Sequence, residues 1–454
     1  GSTGNLRLNR AIVGMAAAPQ KTAPLAPPSS APGGPAPGGG TTDTTVPGGG
    51  TTGTTLPPAS NVDWGPAGTT SIVAKAATGG GNAFRPWMSA DGRYLVFDSD
   101  GKRVMPGVVD TKFVRDVYLY DRVTGAMERI SVGPNGARAN VPEADSQGRC
   151  GTNQANPCGS QRPTISADGR YVAFWSSADN LVPGDTNGHA DTFLRDRQTG
   201  TTILLSKGYQ GAQADGDSKR PIVSRDGQYV AFESAAANLV PPQTCSGGLL
   251  GLGQTCTGGD NNKADDIFLY KVATGELTMV STASNGTQGN GASDRASLSG
   301  DGQKILFQSD ATNLVSGDNN QATDIFMKDL GSGQTTLVST NAAGVQSDKA
   351  SDSPSISADG RFVAFWSDAS TLVPGDTNGS SCTTPPCTDV FVHDRQTNTT
   401  TRMTSTNGVQ GDGDSYSPAL SMDGRFVAWD SKATTLDTSG GGANNEDIFV
   451  HVNY

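Results

Sequence analysis

The sequence predicts an all-β protein, a six-bladed β-propeller preceded by an extended N-terminal tail rich in Pro, Gly and Thr. Three observations predict it. One phrase recurs along the chain, the composition suits turns, and a segment before the first repeat matches the end of a later one. Gly accounts for 60 of the 454 residues and Pro for 26, while 17% are charged. Gly and Pro weaken helix interiors, so this composition favours short strands joined by turns.

The recurring phrase is clearest at residues 166–176, Ser-Ala-Asp-Gly-Arg-Tyr-Val-Ala-Phe-Trp-Ser, and it returns nearly unchanged at 357–367 and 421–431. The aspartate of its Asp-Gly pair lies at positions 91, 168, 226, 301, 359 and 423, so the chain holds six copies. Self-similarity of this kind is typical of repeat architectures, in which each repeat is one supersecondary unit.

Each copy predicts four strands. In the second copy a short run at 163–166 leads into the Asp-Gly turn, and an alternating run follows at 171–175. A third run at 192–195, a turn at 198–200 and a fourth run at 201–206 complete the unit. An Asp-Gly pair suits a tight hairpin because its residues tolerate positive φ. Four short strands joined by turns are one propeller blade, and such blades must stack to bury their faces.

The two ends of the chain are predicted to share the last blade. The sixth copy ends with its third run, at 448–454. Residues 68–75, Gly-Thr-Thr-Ser-Ile-Val-Ala-Lys, closely match residues 200–207, Gly-Thr-Thr-Ile-Leu-Leu-Ser-Lys. We therefore expect residues 68–75 to supply the missing fourth strand, which closes the ring and hides two sheet edges. This divides the chain into a segment 1–60 and a propeller 61–454.

The Ser-x-Asp-Gly repeat, followed in several copies by Asp-Ile-Phe, resembles the TolB-like β-propeller repeat, and the resemblance covers residues 69–454. It implies a six-bladed propeller of a kind usually exported in bacteria, which works by docking partners. It implies no catalytic residues. Propellers host many unrelated functions, so the resemblance names no partner.

The cysteines form three close pairs in loop-like insertions: Cys150 with Cys158, Cys245 with Cys256, and Cys382 with Cys387. Local pairing is the simplest connectivity. A zinc site would instead need Cys-x-x-Cys spacing or nearby His, which the pairs lack. Three disulfides predict an oxidising compartment, so we expect a secreted or cell-surface protein, with the periplasm as the alternative.

The N-terminal tail has two parts. Residues 17–60 are dominated by Pro, Gly, Thr, Ala and Ser and predict an extended linker. Residues 5–16 alternate apolar and polar side chains before turning apolar, and two interpretations remain open. They are the flank of an export signal, or they form an assembly anchor that the linker delivers to a second copy. The anchor residues would be Leu6, Leu8, Ile12 and Val13.

Charge favours the anchor. Residues 1–60 hold three basic residues and one acidic residue and so have a net charge of +2. Because the whole chain has a net charge of −11, the propeller has a net charge of −13. Opposite charge would steer the tail to a propeller, so we expect a homo-oligomer.

The loop before the third strand predicts a calcium site. Its Asp-x-Asn-x-x-x-Asp spacing places oxygen ligands on one turn, and Ca²⁺ binds oxygen ligands. An alternative stays open, because Asp and Asn are also common turn residues and no closing Glu follows. The predicted ligands are Asp185, Asn187, Asp191, Asp260, Asn262, Asp266, Asp318, Asn320, Asp324, Asp376, Asn378 and Asp389.

Few residues are suited to catalysis. The histidines are His189, His393 and His451, and the sequence contains no GxSxG, HExxH or P-loop motif. Without an acid–base histidine we expect the protein not to be an enzyme. A glycosidase-like pair of carboxylates is the remaining catalytic alternative, since only their separation in space would reveal it.

Composition also bears on partners. A net charge of −11 and a sequence pI near 4.8 argue against nucleic acid, which needs a basic surface. The apolar stretch at 11–18 is far short of the roughly 20 residues of a membrane span, so we expect no transmembrane segment.

We expect a structural subunit that self-assembles into a filament or surface layer through its tail. The alternative is a monomeric extracellular module that binds a protein, glycan or small ligand.

Overall fold

A computed structural model describes residues 82–101, 104–105, 115–140, 159–242, 244–246, 255–257, 259–377, 387–406, 408–436 and 447–453. Their strands form six antiparallel blade sheets, which confirms the predicted all-β, six-bladed propeller. The helical turns of the described residues are the short 3₁₀ segments Pro134–Gly136 and Tyr209–Gly211.

Within each blade the strands pair in chain order from the first strand outward. Blades one and two consist of β1 Ala83–Met88, β2 Tyr94–Ser99, β3 Asp116–Asp121, β4 Met127–Arg129, β5 Ser160–Ile165, β6 Tyr171–Ser176, β7 Asp191–Asp196 and β8 Thr201–Leu204. Blade three consists of β9 Ser218–Val223, β10 Tyr229–Ser234, the inserted hairpin β11 Thr244–Ser246 and β12 Thr255–Thr257, then β13 Asp266–Lys271 and β14 Glu276–Met279.

The second half of the chain repeats this order. Blades four and five consist of β15 Ser293–Leu298, β16 Lys304–Ser309, β17 Asp324–Asp329, β18 Thr335–Leu337, β19 Ser351–Ile356, β20 Phe362–Ser367, β21 Asp389–Asp394 and β22 Thr399–Arg402. A small hairpin and blade six follow as β23 Ser405–Thr406, β24 Val409–Gln410, β25 Ser415–Leu420, β26 Phe426–Ser431 and β27 Asp447–Val452.

The recurring phrase builds the turn between the first two strands. Ser166 Oγ donates to Asp168 Oδ1 at 2.6 Å and accepts from the Tyr171 N–H at 3.0 Å, while Asp168 Oδ1 also accepts from the Arg170 N–H. Gly169 has φ +75°, which glycine adopts without strain. The same three hydrogen bonds recur in all six blades. The phrase therefore recurs because each hairpin needs it.

The hydrophobic core lies between neighbouring blades. Phe174 and Phe193, on the second and third strands of blade two, stack with ring centroids 5.8 Å apart. Both are fully buried and pack with Val96 and Val117 of blade one. A stacked aromatic pair occupies the same place in every blade. One blade alone would expose this surface, so stacking is what stabilises each sheet.

The first strands contact one another in series around the axis. Near their ends, backbone hydrogen bonds join the blades: Ala90 N donates to Ala167 O (3.1 Å), Ala167 N to Arg225 O (2.8 Å), and Ala358 N to Met422 O (2.8 Å). Beside these bonds lies a cavity of about 60 Å³, lined mainly by apolar residues from all six blades together with Arg225 and Ser299.

Each first strand also has a β-bulge, shown by a shift in its pairing with the second strand. In five blades proline follows the bulge residue, as in Arg162-Pro163. Proline has no N–H to contribute to the ladder and is tolerated where a bulge interrupts it. The bulge residues share φ between 49° and 55° and are Arg85, Arg162, Arg220, Arg295, Ser353 and Ser417.

Blade six is described through three strands. The predicted fourth strand, residues 68–75, and the boundary at residue 60 lie outside the described residues, so the shared-blade closure stays a prediction.

Candidate functional site

The aspartate that ends each predicted calcium loop begins a third strand and is buried. Asp191 Oδ1 accepts from Ser206 Oγ at 2.6 Å, and Asp324 Oδ1 accepts from Ser339 Oγ at the same distance. Asp116, Asp266 and Asp389 accept from the hydroxyl at the matching position of their own blades. The hydroxyl in turn accepts from a backbone N–H of the third strand in four of these blades. This aspartate therefore has a structural role in joining third and fourth strands.

In blades three and four, a glutamine amide lies between the two aspartates of the loop. Gln288 Nε2 donates to both Asp260 Oδ1 and Asp266 Oδ2 at 2.8 Å. Gln288 Oε1 accepts from the Asn261 N–H at 2.9 Å, which fixes the nitrogen toward the carboxylates. Gln346 donates to Asp318 and Asp324 in the same way. A nitrogen donor thus occupies the place between the two carboxylates where a cation was predicted.

Blades one and five use arginine instead. Arg138 Nε donates to Asp116 Oδ2 at 2.9 Å, and Arg402 Nη1 lies 3.1 Å from Asp376 Oδ1. Asn378, the third predicted ligand of blade five, lies outside the described residues. The guanidinium is a permanent cation, so it neutralises the carboxylate without a metal.

Blade two differs from these four. Gln213 Nε2 donates to the Gly184 carbonyl at 2.8 Å rather than to a carboxylate. Asn187 Nδ2 donates to Asp191 Oδ2 at 2.9 Å. Burial, and then the charge of Asp191, raises the pKa of Asp185 to about 7. Among the described loops of blades one to five, blade two therefore holds neither a glutamine amide nor a guanidinium between its carboxylates.

The predicted calcium sites remain a prediction after these observations. The described part of the chain holds no group of three or more His, Cys, Asp or Glu side chains arranged for a metal. Calcium also accepts Asn and backbone oxygens, so two carboxylates and their neighbours in blade two keep a partial ligand set.

The structure describes three of the six cysteines, Cys245, Cys256 and Cys387. The backbones of Cys245 and Cys256 lie directly opposite each other in the β11–β12 hairpin. Cys387 is buried and disulfide-bonded. Cys150, Cys158 and Cys382 lie outside the described residues, so the three pairings stay predictions.

The histidines have structural surroundings. His393 is buried and its Nδ1 lies 2.9 Å from Thr400 Oγ1, while Thr400 Oγ1 donates to the Thr340 carbonyl. Burial lowers the pKa of His393. His189 Nδ1 lies 3.3 Å from Asp217 Oδ1 beside a loop, and His451 is exposed on β27. These contacts position loops and strands.

One side of blade six exposes apolar residues. Ile448, Val450 and Val452 on β27 are 74%, 52% and 56% exposed. The first four residues of third strands β3, β7, β13, β17 and β21 are buried. In blade five the residues at the matching third-strand positions, Val390 and Val392, pack against blade six. This side of β27 is therefore the face that stacking against blade one would bury.

The predicted anchor residues Leu6, Leu8, Ile12 and Val13 lie outside the described residues.

Sequence reasoning missed the bulge arginines and the bridging glutamines. The Arg-Pro pairs at 85–86, 162–163 and 220–221 were visible in the sequence as a recurring element of the first run. The glutamines lie 22 and 28 residues after the two aspartates that each contacts, and no short motif connects them.

None of the described helices is long and apolar enough to cross a bilayer.

No protein-family model and no curated protein matches the sequence. Solved structures do match. TolB from Agrobacterium tumefaciens is 17% identical, with 81% of this chain and 88% of that chain covered and a TM-score of 0.38. TolB from Acinetobacter baumannii is 16% identical, with 71% and 57% covered and a TM-score of 0.35.

An oligogalacturonate lyase in complex with manganese is 13% identical over 80% of this chain and 72% of that chain, with a TM-score of 0.42. The chain spans just over half the length of the Acinetobacter protein. TolB structures are thus among the solved structures that are similar to this chain. At these identities the likeness concerns the propeller fold alone and says nothing about activity or ligand.

Proposed function

We propose that this protein is a non-catalytic propeller that acts outside the cytoplasm as a structural, self-assembling subunit. The tail of one copy connects to the propeller of the next. The observation that supports this proposal is the charge contrast between residues 1–60, with a net charge of +2, and the propeller, with a net charge of −13. Opposite charges steer two surfaces toward each other.

The proposed occupant of the neighbouring propeller is the segment around Leu6 and Leu8 of a second copy. In an extended strand these two residues would share one face, and Ile12 and Val13 extend the apolar segment. A flexible linker over residues 14–60 would span roughly 40 Å on average, enough to reach a neighbouring propeller.

Charge supports the same occupant. The tail carries Arg7 and Arg10 between its apolar residues, and the propeller is strongly acidic. Asp447 at the start of β27 is exposed. Complementary charge raises the rate of encounter, while apolar burial supplies the affinity.

The remaining parts of the proposal rest on two supports. The three close cysteine pairs favour an oxidising compartment outside the cytoplasm. The described histidines are engaged in loop and strand contacts or lie exposed on β27, which favours a non-catalytic role.

The test is the mass of the particle in solution, measured by light scattering after size exclusion and by electron microscopy. The full chain is compared with residues 61–454 and with the double variant Leu6→Asp/Leu8→Asp. The control is Val345→Asp, because Val345 is a 57% exposed apolar residue outside the tail. We expect the full chain and Val345→Asp to assemble and the other two to stay monomeric. A full chain that remains monomeric at high concentration would overturn the proposal.

A further inference from the structure

Four bulge arginines bring positive charge to one level of the propeller axis. Arg85, Arg162, Arg220 and Arg295 lie on the first strands of blades one to four, at the same bulge position. Their side chains reach around the axis, since Arg85 Nη1 donates to Gln161 Oε1 of blade two at 3.1 Å. Blades five and six place serine at this position, which leaves more room on that side.

Three of these arginines have carboxylate partners. The pairs are Arg85 with Asp98 (3.6 Å), Arg220 with Glu233 (3.1 Å) and Asp294 (3.3 Å), and Arg295 with Asp352 (2.8 Å). A further arginine, Arg115, shares Asp98 at 3.5 Å. The Arg220–Asp294 and Arg295–Asp352 pairs join neighbouring blades, whereas the other pairs lie within one blade.

Arg162 is the exception. Its backbone N–H donates to Asp98 Oδ1 at 3.3 Å, but within the described residues its guanidinium forms no ion pair or hydrogen bond. Burial, and then the charges of Arg85 and Arg220, lowers its pKa to about 10. At that pKa it still carries a full charge at neutral pH. A half-buried cation beside two like charges has an unfavourable energy that an anion would relieve.

The same layer contains an unused donor. Trp175 lies opposite Gln161 in the ladder, next to the bulge. It is 8% exposed, and its Nε1–H has no hydrogen-bond partner in the described structure. Buried tryptophan N–H groups normally find an acceptor. The matching positions of blades one and three hold the carboxylates Asp98 and Glu233.

Carboxylates crowd the same layer. Asp98, Glu233, Asp294 and Asp352 pair with the neighbouring arginines, and Asp430 of blade six occupies the second-strand position that Asp98 and Glu233 hold in their own blades. An anion at Arg162 would be repelled by these five carboxylates, and a single negative charge would be repelled least.

We propose that the axial layer around Arg162 binds a carboxylate group, which Arg162 holds through two parallel N–H donors. A planar carboxylate matches the guanidinium fork and carries one negative charge, whereas inorganic phosphate is partly dianionic at neutral pH. This site is independent of tail-mediated assembly.

The test is titration of the full chain with sodium acetate, followed by the ¹⁵Nε resonances of arginine and the indole resonance of Trp175. Sodium chloride at equal ionic strength is the blank, and sodium phosphate is the competing anion. The variant is Arg162→Gly, because glycine adopts the observed φ of 50° without strain and so preserves the bulge. The matched control is Arg295→Gly, which removes an arginine at the same bulge position.

We expect saturable acetate binding that weakens at least tenfold in Arg162→Gly and less than threefold in Arg295→Gly. Three results would overturn the proposal. Acetate has no saturable effect, Arg162→Gly binds it as well as the original protein, or phosphate binds more tightly than acetate.

Discussion

Arg170 and Asp196 form a two-point ion pair that joins the second and third strands of blade two. Nε lies 3.0 Å from Oδ1, and Nη2 lies 2.7 Å from Oδ2. Arg93 with Asp121 and Arg361 with Asp394 repeat it in blades one and five. The arginine of the Asp-Gly-Arg phrase thus has a structural role.

This pair predicts a stability effect that depends on pH. The hydrogen bond from Arg170 lowers the pKa of Asp196 to about 2. A lowered pKa in the folded state gives stability that is present above the unfolded value near 3.9 and is lost as pH falls toward 2. Arg170→Gln should reduce the free energy of unfolding by about 1 kcal/mol at neutral pH. Urea unfolding should show that this difference shrinks below pH 4.

Glutamine is compatible with this turn, because Gln303 of blade four already occupies the position that Arg170 has in blade two. A loss of stability in Arg170→Gln would therefore come from the ion pair and not from the turn. An equal loss of stability at neutral and acid pH would contradict an origin in the ion pair.

We expect calcium to bind in blade two. There the glutamine amide bonds a carbonyl, whereas in blade four Gln346 donates to Asp318 and Asp324. Asp185→Asn should abolish any rise in melting temperature on adding Ca²⁺, and Asp318→Asn should leave that rise unchanged. Thermal unfolding with Ca²⁺ and with EDTA measures both. A calcium effect that survives Asp185→Asn would show that blade two is not the site.

The stacked aromatic pairs predict a large packing effect. Phe307 and Phe326 are fully buried with centroids 6.0 Å apart. Phe307→Ala removes buried apolar surface and leaves a cavity, so we expect a loss of about 3–5 kcal/mol in denaturant unfolding. Val345→Ala, at an exposed site, should change stability by less than about 0.5 kcal/mol. Similar losses for the two variants would argue against a tightly packed core between blades.

The predicted closing strand can be tested by truncation. Removing residues 1–60 should leave the melting temperature of the propeller unchanged. Removing residues 1–76 also deletes 68–75, and it should lower that temperature and broaden the transition because β27 loses a partner strand. A peptide of residues 66–78 added to the shorter protein should restore part of the loss. Equal melting temperatures for the two truncations would exclude this segment as the closing strand.

The fold was predictable because local chemistry repeats with it. The Ser-x-Asp-Gly phrase encodes its own hairpin through bonds between residues two and five positions apart, as at Ser166 and Asp168. Such contacts form between residues close in the sequence, so each copy of the phrase predicts one blade. The function of the Asp-x-Asn loops was harder to predict, because Gln288 reaches Asp266 from the start of the next blade.

The sequence by itself determined the number of blades, the turns between their strands and the charge contrast between tail and propeller. Only the tertiary structure decided which charges are neutralised. It placed an amide between Asp260 and Asp266, paired Arg295 with Asp352 of the following blade, and left the Arg162 guanidinium without a partner among the described residues. The physical reason is distance. A charge is stabilised by groups within a few ångströms, and around a propeller axis those groups come from blades far apart in the chain.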